Sequence, residues 1–501
     1  MPTIDCCISV FGSAHSAPNE RHRCLTGVDV PVFGSGHQRF WKGMGRVDSS
    51  DRRSEAGIAH RTTGVPRAGP GTFLRWATRH GLLRLSVAAA ARRDDPQARH
   101  FLDPMIREDP YPFYRQVRQT SALVGGHLTW STARHDVATE VLRSDAFSVD
   151  PDTLPLPAPI AMLRDLGRRR MPVGPIDPPS MLVTDPPEHT RYRRLVVKVF
   201  TARAVESLRP RVERHCADLL DELGRAAPDD GPVDLVAHYA SLLPVTMIAE
   251  ILGVPAQLRQ RFLDWGAAVS PALDLGLSLG QFRRVEAGTR QLNDWLRGHF
   301  ANLRADPGDD LLSQLVLPDS EGERLTEDEL VALAGLLMAA GFETTVNLLG
   351  TGTALLLAHP EQLALLRAEP HRWPNAVEEI LRYDSPVQTT GRYCRADTEV
   401  AGVRLRRGEI VIPMLGGANR DPAIFADPDR FDVTRLNARD HLSFSSGAHY
   451  CLGASLARLE GEIGLRSLFE RYPDLALGGV PRRRPTRVLR GYDHLPVRLR
   501  S

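Results

Sequence analysis

Apolar residues recur every three to four positions through most of the chain after residue 72, and that period predicts helices. Phe73, Leu74, Trp76, Leu82, Leu83 and Leu85 share one face against Arg75, Arg79 and Arg84. Such a basic amphipathic stretch can lie on a membrane, but a helix packed on its own domain is the simpler expectation. The same spacing marks helices at YPFYRQVRQ, ARHDVATEVLRS and TRYRRLVVKVF, then over 203–223, 236–252 and 285–304, and a long one from Thr326 through Leu357. Strand-like alternation comes late: TEVAGVRLRRGEIVIPML predicts a hairpin turning at Arg407 and Gly408. Residues 1–72 show no sustained period and little apolar content, so a disordered leader is expected there. No repeat and no linker divides residues 73–501. The expected fold class is mainly α with a minor β-sheet region, in a single large domain.

Composition narrows the function classes. Lysine and arginine number 63 against 61 aspartates and glutamates, so there is no global positive field and no nucleic-acid partner is expected. Six cysteines, Cys6, Cys7, Cys24, Cys216, Cys394 and Cys451, show neither a disulfide framework nor paired CxxC spacing. That pattern fits a reducing cytoplasm. The longest mostly apolar run, Leu330 to Phe342, is short for a bilayer span and is followed at once by Glu343. The amino terminus, with Asp5 in MPTIDCCISVFG, does not read as a secretory signal. A cytoplasmic protein without a transmembrane segment is expected.

The chemistry concentrates in FSSGAHYCLG, residues 444–453, directly before a helical pattern. A thiolate is a soft, strongly donating metal ligand, and one thiolate in an apolar cavity suits haem iron that cleaves O–O bonds. Gly447 and Gly453 let the backbone pass close to a flat macrocycle. Backbone N–H groups after Cys451 can hydrogen-bond its sulfur and favour the ionised form. A second signal is AAGFETT, residues 340–345, which sets glycine, acid and threonines inside an apolar helix where propensity disfavours them. There a threonine hydroxyl can divert a hydrogen bond and open the helix locally.

On these residues the chain resembles the cytochrome P450 superfamily of haem-thiolate monooxygenases, the soluble actinobacterial kind, from about Phe73 to the end. The resemblance implies haem b (iron protoporphyrin IX) with Cys451 as axial metal ligand, in a loop that includes Phe444, Gly447 and Gly453. Ser445 stands where many relatives have glycine. Glu343 and Thr344 match the family's proton-delivering acid and alcohol. His189 and Arg193 in DPPEHTRYRR, Arg392 in TTGRYC and His449 match its propionate-binding positions. Glu379 and Arg382 in EEILR, with Arg430 in DPDRFD, match a structural triad.

The implied activity inserts one oxygen atom from O2 into an apolar organic substrate. No flavin or nicotinamide fingerprint is present, so a ferredoxin and an NAD(P)H-dependent ferredoxin reductase are the implied partners. Docking is expected near Arg191, Arg194, Lys198 and Arg458. Leu336, Ala339, Val387, Thr389 and Tyr492 are expected in the substrate pocket. Two other classes stay open: a peroxide-using haem-thiolate enzyme, and a non-enzymatic haem or ligand-binding protein.

Overall fold

Thr326 opens the longest element. Its hydroxyl accepts a hydrogen bond from the Glu329 N–H while the Glu329 carboxylate accepts one from the Thr326 N–H, and this reciprocal cap starts a helix of 32 residues, Glu327–Ala358. The helix stays regular through Glu343 and Thr344; the Thr344 hydroxyl bonds back to the Ala340 carbonyl at 2.8 Å. The local opening expected at Thr344 is therefore not observed, because the hydroxyl adds to the ladder instead of displacing it. By length and composition this helix could cross a membrane, yet 72% of its most apolar window is buried within the fold.

The structure is a computed structural model that describes residues 70–499, apart from 94, 156–157, 159–160, 163–164, 166–170, 229–230, 275 and 319–321. The leader expected at 1–72 lies outside the described residues except for its last three.

Helices Leu242–Ile251, Arg259–Val269, Leu279–Ala305, Trp373–Tyr383 and Ala454–Arg471 pack around the long helix. Their apolar faces join it in one large core that includes Leu243, Phe262, Leu296, Leu348, Ile380 and Leu465. The helix expected over 203–223 is two, Ala202–Glu206 and Arg209–Ala226. Pro210 near the start of the second cannot continue the first.

The main sheet has five short strands in the order Val124–Gly125, Trp130–Thr132, Ile410–Pro413, Arg392–Cys394, Phe147–Ser148. Trp130–Thr132 and Ile410–Pro413 run parallel, and the other pairs antiparallel. The hairpin expected at Arg407 and Gly408 is displaced. Thr398–Val400 pairs with Val403–Leu405 around Ala401 and Gly402, both at positive φ (+49° and +79°), which suits a two-residue hairpin loop. Gly408 instead turns the chain so that Ile410–Pro413 enters the main sheet.

Helix Trp373–Tyr383, with Pro374 in its first turn, carries a fully buried ion pair between Arg382 and Glu379 at 2.7 Å. Arg382 also donates to the carbonyls of Asn419, Pro428 and Arg430, so its fork ties the helix to the loop that follows. The third member of the cluster is Arg435, 3.2 Å from Glu379 and nearly buried. This corrects the expectation of Arg430, whose side chain is 66% exposed and lies 3.9 Å from Asp432. The Arg430 backbone carbonyl, not its guanidinium, joins the cluster.

Arg382→Ala is expected to cost about 3–5 kcal/mol in denaturant unfolding by stranding buried Glu379. Arg430→Ala should change stability by less than about 0.5 kcal/mol, as surface substitutions do. Equal losses would contradict this geometry.

Candidate functional site

The Cys451 loop is closed by backbone bonds. The Cys451 N–H donates to the Phe444 carbonyl at 2.9 Å, and the Tyr450 N–H to the Gly447 carbonyl at 3.1 Å. Gly447 has φ +72°, and a Cβ there would lie 2.6 Å from the Leu142 carbonyl. Close packing on helix His135–Arg143 is therefore what requires glycine at 447. A Cβ at Gly453 would meet no protein atom within 4 Å, which leaves open space on that side. Ser445 also adopts a left-handed φ of +62°, a conformation that glycine takes without strain.

Cys216 and Cys394 are buried, whereas Cys451 is solvent-accessible. Burial nevertheless pushes the Cys451 thiol up, opposed by the Gly453 N–H and by Arg193 and Arg458. Both facts describe a side chain on the wall of an interior cleft. Desolvation here outweighs the hydrogen bond expected to favour the thiolate.

Four basic side chains gather beside this thiol. The rings of His189, on helix Glu188–Val196, and His449 lie 4.2 Å apart. Burial, then His189 and Arg392, push His449 down to about 3, and Arg193 adds to the repulsion. Asp185 is the one acid acting on His449, and it already holds Arg395 at 2.6 Å. Arg392 is buried, donates among the described residues only to Thr390 Oγ1 and the Gly391 carbonyl, and is pushed down to about 10 by desolvation. A buried guanidinium without a bonded carboxylate calls for an anion.

On the long helix, Ala340 is exposed, and Ala339, Gly341 and Thr344 are half-buried between buried stretches. Glu343 is buried, with its carboxylate 2.8 Å from Arg484 Nε. Burial raises its pKa and Arg484 pulls it back.

The cytochrome P450 family profile matches residues 281–475. The chain is 50% identical over 429 residues to a protein named cytochrome P450 140 from Mycobacterium tuberculosis, covering 85% of this chain and 97% of that one.

The chain belongs to the cytochrome P450 family.

It is also 42% identical over 408 residues to the 6-deoxyerythronolide B hydroxylase of Saccharopolyspora erythraea, covering 78% of this chain and 96% of the relative. The solved structure of the Bacillus subtilis cytochrome P450 PksS superposes with a TM-score of 0.70 at 33% identity, over 79% of this chain and 98% of that one. The protein is thus a cytochrome P450 monooxygenase with a single P450 domain fold, and its cofactor is haem b. The residues present fit that group: an accessible sulfur, open space at Gly453, and a buried cationic cluster short of acids.

Three partners in this P450 carried no signal in the sequence. Arg484 pairs with Glu343 from far along the chain, Arg435 replaces Arg430, and Glu378 holds the Cys451 loop on both sides. Buried Glu378 pairs with His441 at 3.1 Å before the thiol and with Arg458 at 2.8 Å after it, and Arg439 joins at 3.0 Å. Of the basic residues expected to meet a redox partner, Arg191 is paired with Glu329 and Arg458 with Glu378, while Lys198 is exposed.

Glu378 is held down to about 2, burial being outweighed by hydrogen bonds from His441 and Arg458. A depressed carboxylate contributes stability that is complete above its unfolded value, about 4.3, and is lost as pH falls through the folded value. The wild-type minus Glu378→Gln difference in Tm should therefore shrink from pH 5 towards pH 2; a difference that grows on acidification would contradict it. Ser445→Gly should relieve the left-handed strain and stabilise by about 1 kcal/mol in denaturant titration, whereas Ser445→Val should destabilise.

Proposed function

We propose that Cys451 is the axial thiolate ligand of the haem iron, that His189, Arg193, Arg392 and His449 hold the propionates, and that Glu343 and Thr344 deliver protons for dioxygen cleavage. The observation that carries this reading is the cluster of four basic side chains beside the one accessible thiol among the described residues. When bound, the haem supplies the oxygen-activating chemistry that protein side chains lack. The chain holds, orients and protonates. The Gly453 N–H and the charges of Arg193 and Arg458 favour negative charge on sulfur. Thr344 presents a hydroxyl whose present acceptor is the Ala340 carbonyl. Glu343, raised by burial and tempered by Arg484, can both take and release a proton, which a relay requires.

The substrate is an apolar organic molecule, walled by Leu336, Ala339, Val387, Thr389 and Tyr492. Electrons come from a ferredoxin and its NAD(P)H-dependent reductase in the cytoplasm. Glu343 and Thr344 favour this O2-dependent reaction over a peroxide-using one, because peroxide already carries the protons that such a pair would deliver.

Cys451→His should still load haem but lose the red-shifted Soret band of the reduced carbonyl complex; survival of that band would refute the ligand assignment. Thr344→Ala should consume reductant while diverting most of its electrons to the reduction of O2 to hydrogen peroxide. General acid–base steps contribute on the order of 10²–10⁴ in rate, and Thr344→Ser should recover much of the coupling. Tight coupling in Thr344→Ala would mean that protons arrive elsewhere.

A further inference from the structure

A second cavity lies between helices Pro96–Leu102 and Tyr111–Thr120 and the segment 483–491, and arginine dominates its lining. Arg107, Arg483, Arg484, Arg487 and Arg490 all border it. Asp384 neutralises Arg483 at 3.0 Å and Arg490 at 2.7 Å, and Glu343 neutralises Arg484. Asp274 accepts from the Arg487 and Val488 N–H groups and is buried nearby. Neither Arg107 nor Arg487 forms an ion pair among the described residues. Five guanidinium groups thus face three carboxylates.

The walls also carry unused polar atoms. His100 Nδ1, Tyr114 Oη, Gln388 Oε1 and Arg483 Nη1 are buried without hydrogen-bond partners. His100, Tyr114 and Gln388 are themselves 91% buried or more. Unsatisfied buried polar atoms on one cavity wall mark a place for a ligand that can bond them. The space left is about 10 Å³, room for one water-sized species. Excess positive charge and three potential donors, with Gln388 Oε1 the lone acceptor, select a small anion over an apolar group.

We propose that this cavity binds a small monovalent anion, a halide, through Arg483, Arg484 and Tyr114, and that the anion shares Arg484 with Glu343. Occupancy then draws the guanidinium from the Glu343 carboxylate, so anion level sets how strongly that carboxylate is neutralised. The link to proton delivery rests on the relay reading above. Anion binding itself does not, and its test reads binding without turnover.

The probe is bromide. Crystals of the haem-loaded protein soaked in sodium bromide should show an anomalous peak within hydrogen-bond reach of Arg483 Nη1 and Tyr114 Oη; a water molecule there and no bromide overturns the site. In solution, sodium bromide should raise Tm above that in sodium gluconate of equal ionic strength, because gluconate is too large for the space. Arg483→Gln should weaken the apparent bromide affinity by about 10–100-fold, the loss of one charge-assisted bond. Tyr114→Phe should weaken it too, and provides the measurement if Arg483→Gln does not fold. Glu343→Gln frees Arg484 and should tighten bromide binding; unchanged or weaker binding would overturn the sharing of Arg484. Sodium chloride and sodium bromide should compete, which identifies a free anion. If only a long-chain carboxylate displaces bromide, and its methyl ester does not, the anion is instead a substrate head group, and free-anion control by a halide is overturned.

Discussion

A guanidinium with no exposed surface must find an acceptor for nearly every N–H or pay the full desolvation cost. Arg382 meets that condition with both oxygens of Glu379 and three backbone carbonyls drawn from Asn419, Pro428 and Arg430. These carbonyls belong to an irregular stretch that has no ladder of its own to hold it. The buried charge therefore specifies the path of the loop, and the loop leads into the segment that ends at Cys451. Glu378, the adjacent residue on the same helix, grips the later part of that path through His441 and Arg458. Two neighbouring carboxylates on one helix thus set the position of the thiol from opposite sides.

Charge is distributed differently where the molecule is finished and where it awaits a ligand. Around Glu378 and Glu379, each buried carboxylate meets two or more cations. Around Cys451 the balance is positive, with Asp185 already engaged by Arg395. Under the proposed assignment haem b would meet both deficits at once: its two negative propionates would answer the basic side chains and its cationic iron the sulfur. Glu343 stands between these regimes, a buried carboxylate with one arginine and one unpartnered oxygen.

The sequence made the thiol loop legible because small residues, histidine and cysteine at fixed spacing have few other physical uses. The long helix was legible from its apolar period. Long-range partners were not. Arg435 and Arg430 sit in the same arginine-bearing stretch, and only the folded path shows that the first turns inward while the second offers its carbonyl. Arg484 lies in PRRRPTR, where nothing local separates an arginine reaching a buried acid from the solvent-facing Arg482 two positions before it. The hairpin was misplaced because Gly402 and Gly408 both allow positive φ, and the pairing of Ile410–Pro413 with distant strands decided between them.

The parallel pairing of Trp130–Thr132 with Ile410–Pro413, together with Pro496–Arg498 against Val233–Asp234, joins early segments to late ones. Each such joint closes a long loop, whose entropy must be overcome before the contact returns any stability. The stretch 281–475 that bears the family likeness is consequently not a self-sufficient folding unit. It lacks the edge partners of its own strand, the arginine that faces its buried acid, and His189 and Arg193 of the basic cluster. A cut between these segments would therefore part the thiol loop from His189, Arg193 and Arg484 even when every residue of the loop is kept.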